Sequence, residues 1–389
     1  MSEPGGAPKR VMLVYGTRPE AIKMAPLVPA LREAPGLEPV VAVTGQHREM
    51  LDQVNDLFGI VPDHDLNIIQ PRQTLVDVTV KALTGLSDVL RADRPDLVVV
   101  QGDTTTSTVA ALAAAYEQVP VAHVEAGLRT HNRYSPFPEE INRRVTGQLA
   151  NLHLAPTATS RANLLREGVD PADVAVTGNT VIDALLGVVG RGADLTDPAL
   201  TWLNDDPRRV LLVTTHRRES WGEPMAAVAR GLARIARDFP DLAVVIPLHR
   251  NPVVREVVMP AVEGLPNVTV LEPLEYAEFA RVMNRAHVVL TDSGGVQEEA
   301  PSLGKPVLVM RENTERPEAV EAGTVRLIGT DEDRVVDEVS LLLRDEGAYA
   351  AMANAVNPYG DGHAAERSVA AMAQLLGTGS RVADFAPES

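Results

Sequence analysis

The sequence predicts an α/β protein made of two halves, each a parallel sheet covered on both faces by helices. Three observations predict it. Short apolar runs alternate with helix-length amphipathic stretches, the rhythm of strands joined by crossover helices. The rhythm breaks once near the middle and then restarts. Turns rich in Gly, Asp and Arg follow the apolar runs, at the carboxyl ends of strands where open parallel sheets bind ligands. At 389 residues the chain has room for two or three domains.

In chain order, Val11–Tyr15, Pro39–Val43, Leu97–Val100 and Val119–Val124 read as buried strands. Met24–Glu33, Glu49–Phe58, Leu75–Ala92 and Thr106–Tyr116 read as the helices between them. Asn151–Thr177 adds two short strands around a helix. Gly187–Arg209 (GVVGRGADLTDPALTWLNDDPRR) has Gly, Pro and Asp in place of a periodic pattern and reads as a linker with a short helix. Six further strands follow: Val210–Thr214, Ala243–Pro247, Val268–Leu271, Val288–Leu290, Val307–Val309 and Val325–Ile328. Ala364–Leu376 is a last helix. The expected domains are 10–186 and 205–360, with 361–378 as a C-terminal helical segment and 1–9 and 379–389 as unstructured tails.

Composition narrows the function classes. Lys and Arg number 36 against 53 Asp and Glu, a formal net charge of −17, and there are only 13 aromatic residues. Such a chain is poorly suited to bind nucleic acid by charge and base stacking. There is no Cys, so disulfides, thiolate zinc sites and cysteine nucleophiles are excluded. No apolar run approaches the ~18–20 residues of a membrane span, and MSEPGGAPKR lacks the order of a signal peptide. The expectation is a cytoplasmic protein without a lipid anchor or membrane partner.

The residues after the strands carry the chemistry. Gly16-Thr17-Arg18-Pro19-Glu20, with Lys23 beyond, offers a tight turn, a helix start and two cations suited to an anion. Gln101-Gly102-Asp103 and His123-Val124-Glu125 end two successive strands, and Glu139 follows the turn Pro136-Phe137-Pro138. An Asp at a strand end can simply cap a helix. Three carboxylates brought to one place are harder to explain structurally, because like charges repel, and they suit acid–base chemistry. In the second half, His216 precedes Arg217 and Arg218. Asp292-Ser293-Gly294-Gly295 then turns a strand into a helix bearing Glu298 and Glu299, as a phosphate-binding turn would. Arg311 and Arg316 follow the next strand. Neither GxxxxGK[ST] nor GxGxxG occurs, and no HExxH-type spacing supports a metal at His123, His216 or His249.

The runs GTRPEAIKMAPL, TGQHREML, QGDTTT, HVEAGLRT, PEEINRR, THRRES, DSGGVQEEAPSLGKPV and RENTERPE resemble the non-hydrolysing UDP-N-acetylglucosamine 2-epimerases across residues 10–376. The resemblance implies two Rossmann-like domains of the glycosyltransferase-B kind facing a central cleft, with the last helix crossing back to the first domain. It implies interconversion of UDP-GlcNAc and UDP-ManNAc, a supply of ManNAc-type sugars for cell-surface polysaccharide, a homodimer, and no nicotinamide or metal. Matched by motif, the acid–base carboxylates fall on Asp103, Glu125 and Glu139, and the functional histidine on His216. UDP contacts fall on Arg18, Lys23, Ser293, Gly294, Gly295, Glu299 and Arg316, with Phe279 beside the uracil. Some relatives bind a second UDP-GlcNAc as activator, in a pocket that corresponds to Gln46, Arg72, Arg217 and His249, with Glu139 shared. Glu49 stands where some activated members carry Gln.

Chemistry explains why several proton-transfer groups are needed. The C2 proton of a GlcNAc unit is not α to a carbonyl, so a simple enolate route is closed. Loss of UDP from C1 acidifies C2, and anti elimination gives 2-acetamidoglucal and UDP. Protonation of C2 on the opposite face with syn return of UDP gives the other epimer. Rival readings are a hydrolysing epimerase, an epimerase for a modified UDP-GlcNAc, a glycosyltransferase of the same architecture, and a nucleotide-sugar sensor that has lost the carboxylates.

Overall fold

The computed structural model describes residues 7–45, 48–70, 72–314 and 316–387. The chain forms two compact units. One runs to Ala184 and is completed by Tyr359–Ala386, and the other is Leu185–Pro358.

The first unit holds seven parallel strands: β1 (Lys9–Tyr15), β2 (Leu37–Val43), β3 (His64–Asp65), β4 (Leu97–Gln101), β5 (Val121–Val124), β6 (Leu152–Ala155) and β7 (Val174–Val176). Their order across the sheet is β3-β2-β1-β4-β5-β6-β7. The register sets Leu13 of β1 beside Val41 of β2 and Val99 of β4. The direction of winding therefore reverses between β1 and β4, the position where open α/β sheets leave room for a ligand. Apolar residues dominate these strands because helices cover both faces. Helix Leu75–Asp93 shows the pattern: Val78, Ala82, Leu86 and Leu90 are buried at four-residue spacing, and Thr74 with Asp77 forms the capping box that starts it.

The helix expected over Met24–Glu33 is two helices, Arg18–Met24 and Leu27–Glu33. Pro26 stands at the N-cap of the second, where its missing N–H interrupts the hydrogen-bond ladder. The expected tails also need correction. Lys9 belongs to β1 and pairs with Asp96 at 2.8 Å. At the other end, part of 379–389 is docked on β7. Phe385 N–H donates to Val176 O at 2.7 Å, Val176 N–H donates to Asp384 at 3.2 Å, and Arg381 donates to Val174 O at 2.8 Å. These contacts cover the open edge of the sheet, which explains order in a segment that has no periodicity of its own.

The second unit holds six parallel strands: β8 (Arg209–Thr214), β9 (Leu242–Pro247), β10 (Val268–Leu271), β11 (Val288–Thr291), β12 (Val307–Val309) and β13 (Val325–Leu327). Their order is β10-β9-β8-β11-β12-β13, with the reversal between β8 and β11. Helix Glu223–Asp238 buries Met225, Val228, Leu232 and Ile235, spaced three and four apart, in this unit's core. Much of the expected linker belongs to this unit. Thr196 donates to Glu278 from its backbone at 3.1 Å and its hydroxyl at 2.7 Å, and Asn204 brackets Leu195 with two hydrogen bonds. No helix among the described residues is long and apolar enough to cross a membrane.

Candidate functional site

In the first unit, β1 delivers Gly16 to a crowded turn. A Cβ there would collide with the hydroxyls of Thr44 and Thr106, so only glycine fits. Glu20, buried one turn into the next helix, accepts from Gly16 N–H at 3.1 Å, Thr17 N–H at 2.9 Å and the Thr104 hydroxyl at 2.6 Å. Burial pushes the Glu20 carboxyl up against these donors. Glu20 thus ties the turn carrying Arg18 to the loop carrying Asp103.

Asp103 follows β4 and is held by Arg143, whose Nε donates at 3.1 Å and whose Nη2 also reaches Oδ2. The Asn142 side chain donates to the Asp103 carbonyl at 2.9 Å. Arg143 is itself fixed by Glu140 at 3.1 Å, and Glu140 also accepts from Thr130 N–H and Arg144, both at 3.0 Å. Burial alone would raise the Glu140 carboxyl; these donors and cations outweigh it and hold it below the usual range.

Glu125 follows β5 with φ of 63°. A residue other than glycine in that conformation costs roughly 1–3 kcal/mol and is retained where surrounding contacts impose it. The Lys23 ammonium lies 2.6 Å from both Glu125 oxygens, Gln101 donates to one, and Asn179 donates to the other at 3.3 Å. His123, two residues earlier, donates from Nε2 to the Gly102 carbonyl at 2.7 Å. Its burial depresses it to about 3, so it stays neutral. Glu139 opens helix Glu139–Leu149, and its Oε2 is buried without a hydrogen-bond partner among the described residues.

In the second unit, Asp292 after β11 organises the loop after β8. It accepts from the Thr215 hydroxyl at 3.1 Å, His216 N–H at 2.8 Å and Arg217 N–H at 2.9 Å, and His216 Nδ1 lies 3.0 Å from its other oxygen. Burial opposes the charge on Asp292, but the imidazole and the two N–H groups outweigh it and hold the carboxyl low. His216 stacks on His249 with centroids 5.9 Å apart. A Cβ on Gly294 would lie 2.8 Å from Arg316 Nη1 and 3.5 Å from Arg217 Nη2. Two guanidiniums therefore converge over this glycine, an arrangement that favours an anion. Arg316 is steered by Glu298, and Glu299 accepts from Tyr276 OH at 3.0 Å. Ser293 N–H donates to the Thr291 hydroxyl at 2.9 Å, which fixes the turn ahead of Gly294 and Gly295. Half-buried Phe279 shares helix Tyr276–Arg285 with Tyr276.

The first unit thus gathers Lys23, Asp103 and Glu125, with Arg18 at the head of the helix that carries Lys23 and Glu139 at the head of the helix that carries Arg143; the second gathers His216, Arg217, His249, Arg316 and the Ser293–Gly295 turn. Arg72 is exposed with φ of 62°, Glu49 is exposed on helix Arg48–Phe58, and Gln46 lies outside the described residues. Sequence reasoning missed Glu20, Gln101, Arg143, Asn179, Tyr276 and Asp292 as supporting residues. Asp292 and Arg143 stand inside the motifs DSGG and PEEINRR, and Asn179 follows a strand, so the strand-end rule could have found them. Among the described residues, no group of three or more His, Asp or Glu is placed to hold a metal ion.

Two doubly wound parallel sheets, one ending in clamped carboxylates and the other in arginines around a glycine turn, define a protein of the twin Rossmann-like α/β class. The family model for UDP-N-acetylglucosamine 2-epimerase matches residues 29–373, and the chain belongs to that family. It is 55% identical over 368 residues to UDP-N-acetylglucosamine 2-epimerase of Escherichia coli strain K12, covering 93% of this chain and 98% of that protein. The S. aureus MnaA–UDP co-structure is similar at a TM-score of 0.86 and 47% identity, covering 97% of this chain and 100% of the other. UDP-GlcNAc 2-epimerase from Neisseria meningitidis bound to UDP-GlcNAc is similar at 0.83 and 46%, covering 94% and 99%.

Proposed function

We propose that this chain interconverts UDP-GlcNAc and UDP-ManNAc without net hydrolysis. The observation that carries the reading is the placing of Asp103, Glu125 and Glu139 at the carboxyl end of one sheet, each in a different setting. Asp103 faces a guanidinium, Glu125 faces an ammonium and two amides, and Glu139 keeps a buried oxygen without a partner among the described residues. C2 epimerisation needs one group to remove a proton from one face and another to return a proton to the opposite face, and groups in unlike environments can divide that work.

In the reaction we infer, one carboxylate takes the C2 proton while the C1–O bond breaks and UDP leaves with the bonding pair. The products of this anti elimination are 2-acetamidoglucal and UDP. A second carboxyl group protonates C2 on the other face, and UDP oxygen re-forms the bond to C1 in a syn addition. Arg316, the Ser293–Gly295 turn and His216 would hold the diphosphate while it is detached and stabilise its growing charge. Glu299 would bind the ribose, and Phe279 would lie beside the uracil. The reading needs neither nicotinamide nor metal. The chain would act in the cytoplasm as a homodimer, feeding ManNAc-type sugars into cell-surface polysaccharide. By the resemblance, Arg217 and His249 of the second unit would contribute to binding an activating UDP-GlcNAc.

The test is product analysis of UDP-GlcNAc incubated with the purified chain, without NAD and with EDTA. UDP-ManNAc at equilibrium with substrate is the expected product. Free ManNAc with stoichiometric UDP would replace this reading by the hydrolysing one.

A further inference from the structure

Asn179 is buried and lies near the end of the segment that carries the chain out of the first unit after Ala184. Its backbone N–H donates to the carbonyl of Tyr359, where the chain re-enters that unit, at 2.7 Å. Its side-chain Oδ1 accepts from Val181 N–H at 3.1 Å, in the manner of a helix N-cap. That bond settles which way the amide points, because an oxygen is required opposite an N–H. Nδ2 is therefore the atom turned toward Glu125 Oε1, 3.3 Å away. A side chain fixed at both of its ends is a rigid donor to the carboxylate.

We propose that Asn179 is a positioning residue for Glu125, holding one carboxylate oxygen in place while Lys23 spans both. This rests on the epimerase reading, in which Glu125 transfers a proton. Besides Asn179, the groups around Glu125 include Lys23 from helix Arg18–Met24, Gln101 from β4, and neutral His123 on its own strand; Asp103, beyond β4, is taken up by Arg143. Asn179 needs no charge for this role. An amide supplies a donor to the carboxylate and an acceptor to the helix start at once, which neither Asp nor Ser reproduces.

The experiment uses the full chain and the variants Asn179→Asp and Asn179→Ser. Both replacements keep a capping oxygen for Val181 N–H; Asn179→Ser should leave the melting temperature near wild type, whereas Asn179→Asp buries a second carboxylate beside Glu125 and should lower it. Asn179→Asp removes a donor and sets a like charge beside Glu125. The acidic limb of the pH profile of kcat/KM for UDP-GlcNAc should move upward by about one pH unit. Asn179→Ser keeps a capping oxygen, but its single short hydroxyl cannot stand at both Val181 N–H and Glu125, so the carboxylate loses its amide donor without gaining a like charge, and the limb should move less, in the same direction. UDP affinity by calorimetry should stay within about twofold of wild type for both. Profiles that superimpose on wild type, or a loss in Asn179→Ser that tracks a fall in its melting temperature, would overturn the role of Asn179. A wild-type chain that fails to epimerise UDP-GlcNAc would instead remove the reading on which it rests.

Discussion

The two sheets end in opposite chemistries. At the carboxyl ends of β4 and β5 the clustered groups are acids, and bases hold them: Arg143 on Asp103 and Lys23 on Glu125. After β8, β11 and β12 the polarity is reversed, and acids hold imidazole and guanidinium groups: Asp292 on His216, Glu298 on Arg316, and Glu219 on Arg311 at 2.8 Å. Both are parallel doubly wound sheets, so the difference comes from the loops alone. On the proposed function it teaches that one scaffold is set either to move protons or to receive an anion by choosing which sign is presented at the strand ends and which is spent on positioning it. Paired charges near a surface contribute little stability, whereas buried pairs fix geometry at a desolvation cost, and Glu125 and Asp292 are both buried.

The comparison breaks most sharply if the acids are neutralised. Asp103→Asn, Glu125→Gln and Glu139→Gln should each lower kcat by about 10²-fold or more, the scale of acid–base groups, while UDP binding by calorimetry stays near wild type. A variant that keeps normal turnover would show its residue to be a helix cap or packing partner. The anion side should respond in the opposite sense. Gly294→Ala sets a methyl 2.8 Å from Arg316 Nη1, so it should weaken UDP binding by roughly tenfold, about 1.4 kcal/mol, while turnover at saturating substrate falls less. Equal losses in both quantities would mean that the two sheets do not divide the labour.

A smaller effect concerns the first unit alone. Asp183 accepts from the N–H groups of Ala365 at 2.8 Å and Ala364 at 3.2 Å, at the start of the C-terminal helix Ala364–Leu375. Burial pushes its carboxyl up to about 6 from an ordinary value of 3.8, with those N–H groups opposing. Between these values the folded chain keeps a proton that the unfolded chain has released. The stabilising contribution is therefore full below about pH 4 and is lost as pH rises through about 6. Asp183→Asn cannot titrate, so the wild-type melting temperature relative to this variant should fall by a few degrees from pH 4 to pH 7. A constant difference across that range would show that folding does not raise the Asp183 carboxyl.

The sheets were legible in the sequence because strands buried on both faces are continuous runs of Val and Leu, as in Leu97–Val100 and Val210–Val213. The positions of Asp103, Glu125, His216 and the Ser293–Gly295 turn just past strand ends were legible because the apolar runs mark where each strand stops. The partners were not. That Arg143 chooses Asp103, or Asn179 chooses Glu125, depends on contacts 40 and 54 residues apart in sequence, which spacing does not encode. The docking of Arg381–Phe385 on β7 was hidden for the same reason, since an open sheet edge orders it. Pro26 did announce a break, but the amphipathic pattern ran on through it.

The most direct test of the central claim is incubation of UDP-GlcNAc with the chain in deuterated water, followed by proton NMR at C2. Proton removal and return by the carboxylates of the first unit, with UDP retained, predicts deuterium at C2 in both UDP-GlcNAc and UDP-ManNAc and no accumulation of free sugar. Epimers that keep protium at C2, or release of ManNAc and UDP as the main products, would contradict it.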